Sequence, residues 1–472
     1  PAGQPAAITK PKKAPPAGRD IPPKTGRNFV FGDNDLTYEG SWVQKATQNV
    51  EAVEMLKKLE ADGRQATREE QAVLAKFIGW GASEIANTLF GDKLDGAAQA
   101  LLDYDEAIAN LGDKPYLTNA RYGEYRPAFS VLHYRNPDLN WYTVGNITRE
   151  MLDKARPAPA TRKWLELRDR LQAVMTDQEW AEASRSTQYA HYTSKPVVKA
   201  MWRGMERMGF KGGYVLEPGA GIGVFPGLMP QAMAHNSSYT GIEFDSITGG
   251  ILKQLFPDER VLVESFVDTQ LPPNFFTVAA GNPPFGKTPI LADPKYRKLG
   301  FALHDYFFAK TIDSVQPGGL VMFVSSRYTM DKLNDKARAW MSERADLVGA
   351  IRLPQTAFQK NAGTEVVTDV LFLRKKVPGE TFEQGQAWAK SVPITVNGTQ
   401  YNINEYFAAH PEMVLGKHSD AGSMYGDKEY TVEPLDGDIE AQFDKAVDNL
   451  PQDILRVERG SADEAAKVRE ID

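Results

Sequence analysis

Between residues 190 and about 376 short apolar runs recur, each separated from the next by a helical stretch: Tyr214 to Leu216, Tyr239 to Ile242, Val261 to Val263, Thr277 to Ala280, Leu320 to Val324, Leu347 to Ile351 and Val370 to Leu373. Strands that alternate with helices are joined by crossovers rather than by hairpins. They therefore line up in one direction, and a doubly wound α/β domain with a mostly parallel sheet is expected. Such a sheet binds its ligands past the carboxyl ends of its strands. The residues with chemical character in this region stand at those ends.

The first strand runs into Glu217-Pro218-Gly219-Ala220-Gly221-Ile222-Gly223. Glycines here permit a tight turn and close approach of a ligand to the backbone. The next strand ends in Glu243-Phe244-Asp245, with Glu243 22 residues beyond Gly221. A carboxylate at that strand end can accept both ribose hydroxyls of an adenosine-type cofactor, and a nicotinamide cofactor would satisfy this much equally well. What separates the two is Asn282-Pro283-Pro284-Phe285, at the end of the fourth strand and 65 residues after Glu217. An amine conjugated to a purine ring is a poor nucleophile. The Asn282 side-chain oxygen and the Pro283 carbonyl can accept its hydrogens and aim its lone pair, Pro284 stiffens the backbone, and Phe285 offers a stacking face for the base. Such positioning contributes about 7 to 11 kcal/mol with neither a metal nor a covalent nucleophile.

Composition narrows the chemistry the same way. The chain has no cysteine and only six histidines, so a thiolate metal cluster is excluded and no metal site is expected. The formal charge of -7 confines any nucleic-acid contact to a local patch. No apolar run is long enough to span a bilayer and no signal peptide opens the chain, so a cytoplasmic protein with no membrane partner is expected. The first residue is Pro rather than Met, which suits a chain processed or cut from a longer one.

These motifs resemble the adenine-N6 DNA methyltransferases, the S-adenosylmethionine-dependent amino-methylases with an Asn-Pro-Pro-Phe motif. The resemblance covers about residues 185 to 376 and implies a Rossmann-like class I methyltransferase sheet. It also implies S-adenosylmethionine as cofactor and DNA, with a flipped adenine, as partner. In the order this family uses, Tyr192-Thr193 precedes the Gly-rich strand and Thr193 helps hold the methionine part. Glu217, Pro218, Gly219, Ala220, Gly221 and Gly223 form the cofactor turn. Glu243 with Phe244 meets the ribose, and Ser265-Phe266 stands beside the adenine. Two departures accompany it: Ser265 lacks the carboxylate usual at its position, and Phe276 stands where an acid commonly precedes the catalytic strand. A looser resemblance, through Phe77-Ile78-Gly79-Trp80-Gly81 and Asn404-Glu405-Tyr406-Phe407, is to the methylase half of large methylase-helicase proteins of phages and mobile elements. Some of those are linked to protecting injected DNA from restriction. It implies a helicase-like extension beyond residue 472 and a virion-associated, injected form.

The remaining chain divides by composition. Residues 1–30 read as a disordered basic tail and 31–184 as a helical region. In the latter one helix runs from Asn49 to Gly63, and a second opens at Thr67 with Glu70 in capping-box spacing and continues through Phe77 and Ile78. Within it, residues 112–147 interleave aromatics with arginines. Arg121, Tyr122, Tyr125, Arg126 and Arg135 are the candidate DNA contacts, rings for stacking and guanidinium groups for phosphate, while a small aromatic core of the segment's own explains them equally well. After the 185–376 domain, 377–434 reads as a loop and hairpin appendage turning at Asn397-Gly398, and 435–472 as a charged helical linker. Three functions fit: adenine-N6 methylation of DNA, methylation of guanine amino groups in ribosomal RNA or of protein glutamine, and a catalytically silent DNA-binding or virion module.

Overall fold

The computed structural model describes residues 21, 23–33, 35, 36, 39–186, 193–358, 367–422 and 429–457. Its centre is a seven-stranded sheet of β1 (Gly213–Pro218), β2 (Ser237–Glu243), β3 (Arg260–Val263), β4 (Phe276–Gly281), β5 (Val315–Ser326), β6 (Ala345–Leu353) and β7 (Thr368–Lys375). The order is β3-β2-β1-β4-β5-β7-β6. The pairs of β1 with β2 and β4, of β2 with β3 and of β4 with β5 are parallel. Only β7, inserted between β5 and β6, runs against its neighbours. Each run singled out in the sequence lies inside one of these strands. Every residue of β4 is buried, as expected of a central strand covered on both faces.

Among the described residues nine helices precede the sheet: α1 (Trp42–Asp62), α2 (Arg68–Leu74), α3 (Ser83–Leu89), α4 (Lys93–Leu111), α5 (Tyr122–Arg135), α6 (Arg149–Ala155), α7 (Ala160–Val174), α8 (Asp177–Ser186) and α9 (Lys195–Arg207). Ser41 with Gln44 caps α1, and Gly63 ends it in the left-handed region at φ +61°. The capping box of Thr67 and Glu70 opens α2, but α2 stops at Leu74, short of Phe77 and Ile78. The cause is non-local. Buried Asn49 on α1 accepts from Ile78 N at 2.8 Å and donates to Gly79 O at 2.7 Å, holding the chain extended there. The segment Tyr104 to Ala155 has an apolar core of its own, whereas α1 to α3, α7 and α8 share the main core with the sheet.

Two expectations about the ends are corrected. Residues up to 20 lie outside the described residues, but the rest of the expected tail docks on the α/β domain. Phe29 and Phe31 are buried, their N–H groups bond to Leu255 O and Gly227 O, and Lys24 pairs with Glu259 at 2.5 Å. A composition average hides two aromatics among many polar residues. The described part of the expected C-terminal linker is likewise core. The helix Ile439–Val447 buries Phe443, Ala446 and Val447 against α9 (Lys195–Arg207), and Leu450 fills the space that Gly204 and Gly349 leave open.

Beyond the sheet, β8 (Ser391–Val396) and β9 (Thr399–Asn404) form the expected hairpin. Asn397 and Gly398 turn at φ +48° and +83°. A second ladder pairs β10 (Lys417–Gly422) with β11 (Glu429–Glu433). Both are anchored to the sheet at one buried ionic cluster. The Arg352 guanidinium donates to both oxygens of Asp369 (2.7 and 2.8 Å), to Asp331 (2.8 Å) and to Tyr430 on β11 (3.2 Å), while Asp331 accepts from the backbone of Asn404 on β9. Removing one partner of a buried ion pair costs about 3 to 5 kcal/mol. Arg352→Ala should therefore lower the unfolding free energy by about that much in denaturant titration, and a loss under about 1 kcal/mol, the range of exposed pairs, would show that the cluster does not hold the ladders in place.

Candidate active site

The turn after β1 is built on three glycines with positive φ, Gly219 (+72°), Gly221 (+56°) and Gly223 (+83°). A Cβ on Gly219 would stand 3.4 Å from Pro284, and one on Gly223 would collide with Phe256 at 2.3 Å. Side chains at these positions would be strained or would push the turn away from its neighbours. The turn is tied to the end of β2. Gly219 N and Ala220 N both donate to Ile242 O (2.8 and 2.9 Å), and Gly221 N donates to Glu243 Oε2 at 2.8 Å.

Between this turn, the ends of β2 and β3 and the loop after β4 lies a cavity of about 440 Å³, the size of a small-molecule site. Thr193, Glu217, Gly219, Ala220, Gly221, Glu243, Phe244, Ser265 and Phe266 line it, together with Asn282 and Pro284. Pro218, Gly223, Pro283 and Phe285 do not. Pro218 is buried at the end of β1, Gly223 caps the next short helix, Pro283 is buried, and Phe285 packs half-buried against the main core. Tyr192 lies outside the described residues.

The wall is acidic. Glu217, Glu243, Asp245 and Glu264 line the cavity, against one basic side chain, Arg185. Burial pushes the Glu217 carboxyl well above its ordinary range although Tyr239 donates to it at 2.6 Å. Burial likewise pushes Glu243 up to about 7, opposed by the N–H groups of Asp245 and Gly221. It raises Asp245 too, whose Oδ1 caps the following helix, Ser246–Leu255, through Thr248. Asp245 Oδ2, Thr193 Oγ1 and Trp80 Nε1 are buried and bond to no protein atom. All three residues line this cavity, and these atoms are hydrogen-bonding groups for which the described chain supplies no partner.

Of the two sequence departures, Phe276 is buried at the start of β4, against Phe275, away from the cavity lining. Ser265 does line the cavity, but Glu264 immediately before it brings a carboxylate to the same wall. Three supporting residues were not legible in the sequence. Buried Lys310 donates to Phe266 O (2.6 Å), Val267 O (3.1 Å) and Asp293 (3.3 Å), fixing the wall that carries Phe266. His304 meets Gly286 O through Nδ1 at 3.1 Å, just beyond Phe285. A carbonyl only accepts, so Nδ1 carries the proton, and burial keeps the ring neutral by lowering its pKa, against the pull of Asp305. Trp80, whose Gly-flanked position reads in the sequence as the end of a helix, is the third.

The candidate DNA-contact set splits. Tyr125 is fully buried, its hydroxyl bonded to Val144 O (2.6 Å) and Gly145 O (3.0 Å), with its ring against Trp141 and Phe129. Arg135 donates to Ala155 O and Arg156 O. Tyr125 belongs to the small core of Tyr104 to Ala155 and is not available as a stacking face, whereas Arg135 is exposed, with the two carbonyls holding one side of its guanidinium. Arg121, Tyr122 and Arg126 are exposed, Arg121 lying 3.6 Å from Glu124.

The strand order with a lone antiparallel β7, and the cavity past the ends of β1, β2 and β4, decide the architecture. The fold is that of the class I methyltransferases. No family model matches the chain. Over 268 residues, 55% of its length, the chain is 29% identical to the Defense against restriction protein B of Escherichia phage P1, and spans 11% of that much longer protein. Among solved structures it is similar to the type I restriction-modification system methyltransferase subunit of Streptococcus thermophilus (15% identity, TM-score 0.36, covering 73% of this chain and 83% of that one). It is also similar to a TehB-like methyltransferase of Corynebacterium glutamicum (17% identity, TM-score 0.27, covering 38% and 88%). Among the described residues no helix is long and apolar enough to cross a membrane, and no three acidic or histidine side chains gather as a metal site requires.

Glu243 makes the cavity pH-sensitive. Its folded pKa of about 7 lies above the usual 4.5, so its contribution to the stability of the free protein is present below about pH 4.5 and is lost as pH rises through about 7. The ionised form is the better acceptor for ribose hydroxyls, so affinity for an adenosine-type ligand should rise with pH across that value. Calorimetric titration with S-adenosylhomocysteine between pH 6 and 8 checks this, and Glu243→Gln should flatten the profile and weaken binding by about tenfold or more.

Proposed function

We propose that this chain transfers a methyl group from S-adenosylmethionine to the N6 amino group of adenine in DNA. The observation that carries the reading is an acid-lined cavity with Asn282 and Pro284 on its wall. A dinucleotide brings a pyrophosphate with two negative charges, which would make it still costlier to ionise the buried carboxyl groups of Glu217, Glu243 and Asp245. S-adenosylmethionine brings a sulfonium and an ammonium against one carboxylate, and a net cation relieves buried carboxyl groups. The residues fit it: Glu243 can accept the ribose hydroxyls, Phe244 offers a half-exposed ring, Thr193 and Trp80 offer unmet donors, and Glu264 an acceptor.

When bound, S-adenosylmethionine supplies an electrophilic methyl on sulfur. The chain's own part is to present the amine. Asn282 Oδ1 and the Pro283 carbonyl accept its two hydrogens, which draws the nitrogen lone pair out of conjugation and aims it at the cavity. Gly219, with no side chain, lets Pro284 close on the cofactor turn at 3.4 Å from where a Cβ would be, so the two loops are fixed to one another. His304 steadies the far end of the same loop through Gly286. An amine inside a duplex cannot reach such a site, so the target base leaves the stack, at a cost of a few kcal/mol. Exposed Arg121, Tyr122 and Arg126 are the contacts we assign to the DNA flank. The similarity to a phage protein named for defence against restriction supports a phage or mobile-element enzyme that shields DNA from restriction.

The test is transfer of labelled methyl to unmethylated DNA, to RNA and to total protein in parallel, with nucleoside analysis. N6-methyladenine in DNA is the expected product. Label confined to RNA or protein overturns the substrate, and no label with the cofactor bound overturns the activity. Asn282→Ala should reduce transfer at least about a hundredfold, as loss of a transition-state hydrogen-bonding group does, with cofactor affinity within about twofold of the parent; retained transfer would remove Asn282 from the mechanism.

A further inference from the structure

The helical region before the sheet contributes to the cavity, through Trp80 and Arg185. Trp80 is held in place from two sides. Its backbone follows Ile78 and Gly79, both clamped by buried Asn49, with Gly79 turning at φ +73°. Its ring meets Phe77 and Phe90 edge-on, at 5.2 and 5.3 Å between centroids, and Phe90 in turn meets Trp180 on α8 at 4.8 Å. A residue so confined has one orientation, and it is 1% exposed. Yet its indole Nε1–H bonds to no protein atom. Buried indole N–H groups find an acceptor, because one left unpaired loses its hydration for nothing. Phenylalanine would fill such a wall without that penalty.

We infer that Trp80 donates its indole N–H to the ligand of this cavity, so that the helical region before the sheet is a working part of the cofactor site. The inference rests on the reading of the cavity as the S-adenosylmethionine site. It makes α1 to α3 more than a packing layer: Asn49 orders the segment that presents Trp80, and the cofactor closes a hydrogen bond the free protein leaves open. The ligand class is an adenosyl-amino acid, rich in acceptors in its ribose, its purine ring and its carboxylate.

Two replacements separate donation from packing. Trp80→Phe removes the N–H with part of the ring. Benzothienylalanine at position 80 keeps the bicyclic shape and replaces N–H by sulfur. Titration with S-adenosylhomocysteine should show affinity reduced about fivefold to tenfold by the benzothienyl replacement, while the unfolding temperature of the free protein stays unchanged or rises, because the unpaired donor is gone. Affinity within about twofold of the parent for that variant would overturn the inference and leave Trp80 a packing residue. If the parent itself fails to bind S-adenosylhomocysteine or S-adenosylmethionine, the cofactor reading falls, and this inference falls with it.

Discussion

Three backbone N–H groups at the turn after β1 hold the site together: Gly219 and Ala220 to the carbonyl of Ile242, and Gly221 to the carboxylate of Glu243. They lock the end of one strand to the end of its neighbour, which fixes the floor of the cavity before any ligand arrives. On the other side β4 pairs with β1 and delivers Asn282 and Pro284 to the same level. The geometry thus follows from sheet register. Loops attached to adjacent parallel strands meet at one edge, and only glycine allows them to meet this closely.

The acidic wall sets binding against stability. Burial raises the pKa of Glu217, Glu243 and Asp245, and among the described residues no lysine or arginine pairs with them. A core designed for stability alone would avoid such groups or pair them. The sheet edge shows the other solution. There Arg352 pairs with Asp369 and Asp331 within the chain, and the cluster anchors the two ladders to the sheet.

Features governed by local rules were legible in the sequence. The strands followed from apolar runs, the capping box of Thr67 and the Asn397-Gly398 turn from local hydrogen bonding, and the cofactor turn from its glycines, while the Ser41 cap that starts α1 at Trp42 rather than Asn49 was missed. Legibility failed where a residue's role depends on a partner far along the chain. The end of α2 is decided by Asn49, the burial of Phe29 and Phe31 by Leu255 and Gly227, and the place of Trp80 by Asn49 and Phe90. Lys310 and His304 carry no motif, since a lone lysine or histidine in an apolar helix gives no signal until its partners are known. Tyr125 erred the other way. An aromatic among arginines has the composition of a nucleic-acid surface, and only the packing of Trp141 and Phe129 around it shows an interior.

The main core is closed from both ends of the described chain. Phe29 and Phe31 cover one flank. On another, Leu450 and Ile454 are buried and the backbone of residues 453 to 456 bonds to Arg207, Met208 and Gly318. Contacts this distant in sequence form late. On the ribosome, the sheet would wait for residues 439 to 456 to emerge before its seam could seal, with α9 and β5 exposed meanwhile as sticky surface. A nascent chain stalled before residue 450 would thus hold every motif of the cavity and still lack the piece that makes the domain a finished solid.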